Sequence, residues 1–69
     1  MNMNAIGKFE MLKIVNEFDA TLIRLYGLNM LDARITRHEA MTAYSEFQCP
    51  RQAAEAAGVR RGLERIDAR

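Results

Sequence analysis

Sixty-nine residues with ten basic and nine acidic side chains leave room for one domain, and the net charge of +1 is not the bulk charge with which a chain grips nucleic acid. One cysteine closes no internal disulfide, and Cys49 with the single histidine, His38, makes neither a zinc knuckle nor a CxxC redox pair. Hydrophobic residues at 49%, charged residues at 28%, one proline and four glycines exclude a disordered tail and point to helices.

The first predicted element begins near Asn4, a candidate helix cap. Met11, Val15, Phe18, Leu22 and Leu25 follow at spacings of four, three, four and three, a short heptad seam. Phe9, Leu12, Ile23 and Tyr26 form a second stripe beside it, and Lys13, Asn16, Glu17 and Arg24 leave a narrow wet face. A chain this small buries only about 60% of its unfolded surface. The wide apolar arc therefore predicts a long helix over 8–32, packed on its own domain and pairing through the Met11–Leu25 seam with a second copy. Gly27 is expected to break or weaken it. Residues 28–35 read equally as a short extended piece, with Leu28, Met30 and Ile35 on one face, or as helix continued through Asp32.

Thr36-Arg37-His38-Glu39 is a capping box that starts a second helix over 37–48, with Ile35 placed to staple onto Ala40. Ala40, Tyr44 and Phe47 share a face of that helix, and it ends before Pro50 because proline restricts Cys49. Pro50 suits the first position of a further helix, thin with Ala53, Ala54, Ala56 and Ala57. Gly58 reads as its left-handed stop, with Val59 as the apolar contact that follows and Arg60–Ile66 as a last short helix.

No constellation for catalysis emerges. Cys49 at a helix start lacks a neighbouring base, since His38 lies a helix away, and Asp32 with Glu39 makes no hydrolytic pair by spacing. The four glycines build no phosphate loop, and residues 29–36 lack the oxygen ligands and central glycine of a calcium loop. The expectation is therefore a non-enzyme without cofactor or metal. The opening residues do not read as a secretory signal and no apolar run reaches a membrane span, so a cytoplasmic location is expected. Residues 1–50 hold five basic against six acidic side chains, whereas residues 51–69 hold five arginines against three acids. Aromatics and arginines anchor interfaces, which makes Tyr44, Phe47, Val59, Arg60 and Arg61 the predicted partner-binding set.

Residues 50–66, with their Ala-Ala-Glu-Ala-Ala-Gly-Val run, resemble a bacterial helix-turn-helix unit. That resemblance implies a second helix placed in the major groove, with Arg60, Arg61 and Arg65 at the DNA-contacting positions. The chain as a whole is short and helical, with a seam-bearing first helix and an imperfect helix-turn-helix. In this it is similar to the small early host-takeover proteins of temperate Pseudomonas phages, the quorum-sensing anti-activators among them. This second resemblance implies a helical inhibitor in the host cytoplasm, directed at a LuxR-type transcription activator and at the type IV pilus assembly ATPase. The alternative expectation is a DNA-binding repressor of a phage or mobile element.

Overall fold

The computed structural model describes residues 7–67, and every regular element among them is helical. Helix α1 spans Lys8–Tyr26, α2 Met30–Ala33, α3 Arg37–Phe47 and α4 Pro50–Arg60. The candidate cap Asn4 lies outside the described residues, and the described helix starts with Gly7 at its N-cap.

Gly27 ends α1 as its sequence position predicts. It adopts φ 76°, and its N–H donates to the Ile23 carbonyl at 2.8 Å. The long helix over 8–32 is therefore two helices. The ambiguous 28–35 stretch is one helical turn whose start is fixed from two sides. The Asn29 side chain accepts the Asp32 N–H, and the Asp19 carboxylate of α1 accepts the Met30 N–H, each at 2.7 Å. Arg34 then turns left-handed at φ 61°, the Ile35 N–H reaches back to the Met30 carbonyl at 2.9 Å, and Ile35 is buried. This is the Schellman arrangement with arginine where glycine is usual.

Helix α3 begins at Thr36, whose hydroxyl accepts the Glu39 N–H at 3.1 Å. Only this half of the capping box forms, because the Glu39 carboxylate turns away to Arg61. Pro50 occupies the first turn of α4 as expected.

Two expectations for the C-terminal third are corrected. Gly58 is not a stop but a buried residue inside α4, and the helix runs on to Arg60. The left-handed residue is Gly62 at φ 71°. Its N–H donates to the Val59 carbonyl at 3.0 Å, and the Leu63 N–H to the Gly58 carbonyl at 2.9 Å. Leu63, packed on the core, is the apolar residue that closes this motif, not Val59. The second helix expected at Arg60–Ile66 does not form. Residues 62–67 turn back as an irregular strap, and the Ile66 N–H donates to the Leu25 carbonyl of α1 at 2.7 Å. Residues 50–66 are thus one helix and a strap.

The core lies where α1 meets α3 and α4. Phe18 and Leu22 are its fully buried large side chains, joined by Leu25, Tyr26 and Ile35. Opposite them stand alanines: Ala40 and Ala43 on α3, and Ala53, Ala54 and Ala57 on α4. Small side chains let both helices approach α1 closely, so a few large residues fill the space between three helices.

Candidate binding surface

The close approach of α3 and α4 decides what remains outside. Phe18, Leu22 and Leu25 are covered by the chain itself, and Met11 and Val15 are half-buried. This corrects the predicted pairing seam: three of its five residues are the core of one protomer and are closed to a second copy. The apolar arc of α1 is wide because two helices of its own chain rest on it. The stripe beside the seam divides. Tyr26 is buried, whereas Phe9 is 83% exposed, Ile23 48% and Leu12 38%. These three sit on the side of α1 away from the core.

The predicted partner-binding residues are placed unevenly. Val59 is 70% exposed on α4 and Phe47 is 41% exposed at the end of α3. Glu46, next to Phe47, comes within 4.0 Å of Arg60, next to Val59, as an exposed ion pair between α3 and α4. Tyr44 is half-buried against the core. Arg61 is committed to Glu39, donating from Nε to Oε2 at 3.2 Å and from Nη2 to Oε1.

Arg65, the third residue of the DNA reading, is held by several partners within the protein. Its Nη1 donates to Glu55 at 2.9 Å, its Nε and Nη2 donate to the two Asp67 oxygens at 2.7 and 2.9 Å, and its guanidinium lies 5.9 Å from the Tyr26 ring centre. These bonds, first those with Asp67, raise the Arg65 pKa. Arg65 in turn holds the Asp67 carboxyl below the usual carboxylate range, mainly through their hydrogen bonds. Burial pushes the Tyr26 phenol up, and its hydroxyl donates to the Glu55 carbonyl oxygen at 2.9 Å. Sequence reasoning passed over this cluster. Its tie to Tyr26 spans 29 positions to Glu55, and periodicity carries no sign of such a contact.

The remaining chemistry-bearing residues do not converge. His38 is exposed in the first turn of α3 and Cys49 is half-buried at the N-cap of α4. An open depression lined by Met30, Leu31, Arg34, Ile35 and Thr36 offers one cation and no base or thiol. Among the described residues there is no group of three potential metal ligands, and no helix long and apolar enough to cross a membrane. The described surface sets exposed apolar side chains beside charged ones. No family model, curated protein or solved structure matches the chain.

Proposed function

We propose that this protein is a non-enzymatic inhibitor that acts by occupying a host protein, in the manner of the phage anti-activators it resembles. The observation that carries this reading is the exposure of Val59 and Phe47. Both side chains stay exposed although the core is closed, and they are flanked by Arg60 and Glu46. Apolar and aromatic anchors rimmed by arginine are the composition of an interface centre. The resemblance makes a LuxR-type transcription activator and the pilus assembly ATPase the first partners to try.

The test is binding of the purified chain to each candidate by calorimetry, with Val59→Asp and Phe47→Ala as probes. Loss of an interface anchor is expected to weaken binding about tenfold or more, at roughly 1.4 kcal/mol per factor of ten. Equal affinity of parent and variants, or no binding to either partner, overturns the reading for these targets. The DNA-repressor reading is the weaker one. Its three arginines are engaged with Glu46, Glu39, Glu55 and Asp67, and the helix that would present them is not formed.

A further inference from the structure

The outer face of α1 carries a second pattern that the core does not use. Phe9, Leu12, Asn16 and Ile23 recur at spacings of three, four and seven, so they share one stripe, and Asn16 is exposed with the other three. Along one edge of this stripe run Glu10, Lys13, Glu17 and Arg24, in the order negative, positive, negative, positive. At 100° per residue these four fall within a narrow arc of the helix. All four are exposed.

This order is complementary to its own reverse. From it we infer that the outer face of α1 binds the same face of a second copy, with the two helices antiparallel. A two-fold axis through Asn16 sets Phe9 of one copy against Ile23 of the other and Leu12 against the small Ala20. In an antiparallel pair each edge meets its own counterpart. Glu10 then lies beside Arg24 of the second copy and Lys13 beside its Glu17, each offset by two residues, about 3 Å along the axis, within reach of these side chains. The symmetry doubles both contacts. The two Asn16 amides meet at the centre, where a polar residue in an apolar stripe fixes register. Parallel pairing brings opposite edges together instead and sets Glu17 near Asp19, a like-charge contact.

Glu17 already contacts Arg51 of its own chain at 3.6 Å, but both side chains are more than half exposed and the carboxylate keeps capacity for a second cation. One helix face is smaller than a standard interface, so the pair is a weak, concentration-dependent dimer. It uses neither Val59 nor Phe47, so the two proposals stand or fall separately.

The experiment is sedimentation equilibrium of the full chain over rising concentration, with charge swaps at the paired edge. Glu10→Arg and Arg24→Glu each set like charges together twice per dimer. Each alone is expected to weaken association about two- to thirtyfold, from two exposed pairs at roughly 0.2–1 kcal/mol apiece. The double variant Glu10→Arg/Arg24→Glu recreates the pair in reverse and is expected to restore the parent affinity. Ile23→Asp, at a site outside the core, is expected to stay folded by circular dichroism and to sediment as a monomer. A parent chain that stays monomeric to about 1 mM overturns the inference. So does a dimer that both single swaps leave intact, or one that the double swap fails to restore.

Discussion

Gly58 is a glycine because of Tyr26. A Cβ built there would stand 2.1 Å from Cε2 of that ring, 2.2 Å from Cζ and 2.5 Å from the hydroxyl oxygen. The ring has little freedom to yield, since it is buried and its hydroxyl is bonded to the Glu55 carbonyl one turn earlier on α4. Helix propensity alone would favour alanine by about 1 kcal/mol. Steric overlap wins, and Gly58→Ala is expected to lower stability by about 1–3 kcal/mol in urea unfolding, with the Tyr26 ring resonances displaced. An unchanged or raised midpoint would mean that the ring can move aside. Gly62→Ala is the complementary case. Nothing lies within 4 Å of a Cβ there, yet φ is 71°. Its expected cost of about 1–2 kcal/mol is backbone strain, and it should leave the Tyr26 resonances in place.

Among the elements, the starts of α3 and α4 were legible and the C-terminal stop was not. Thr36 and Pro50 act on backbone groups within a turn of themselves, so their neighbours in sequence are their neighbours in space. Gly27 was legible for the same reason. Gly58 and Gly62 exchanged roles because the choice between them depends on a ring from α1, which no local pattern contains. Arg34 turning left-handed was equally hidden, as arginine carries no signal for that conformation. The capping box was half right. Thr36 caps the helix, while the Glu39 carboxylate ties α3 to the end of α4 through Arg61. Two variants separate these roles. Thr36→Ala is expected to cost about 1 kcal/mol, independent of salt. Glu39→Gln is expected to cost about 0.2–1 kcal/mol, shrinking as salt rises, because its partner is a half-exposed ion pair. Equal salt dependence in thermal unfolding would contradict the division.

For the molecule as a whole, the strap over 62–67 closes the end of the bundle, and its hold is sensitive to acid. Arg65 keeps the Asp67 carboxyl below its ordinary pKa in the folded chain. The unfolded chain therefore takes up that proton first as pH falls. The contribution is complete well above the ordinary carboxylate value of about 3.9 and is lost as pH drops through the folded value. Exchange of the Ile66 amide, bonded to the Leu25 carbonyl, is expected to quicken relative to core amides between neutral pH and pH ~3. In Asp67→Asn it should be fast throughout. A variant that keeps the parent's profile would place the acid sensitivity elsewhere. The all-helical class was readable from composition and period, but the inner and outer faces of α1 were not separable until α3 and α4 were in place. That separation depends on alanine. Ala53, Ala54 and Ala57 are buried in the core that α4 shares with α1 and α3, so nothing there gives way to a larger side chain without a shift. A valine at any of these three sites would act as a shim between α4 and its neighbours and shift the stretch that carries Val59. The most inconspicuous side chains in the protein thus set where an exposed one points.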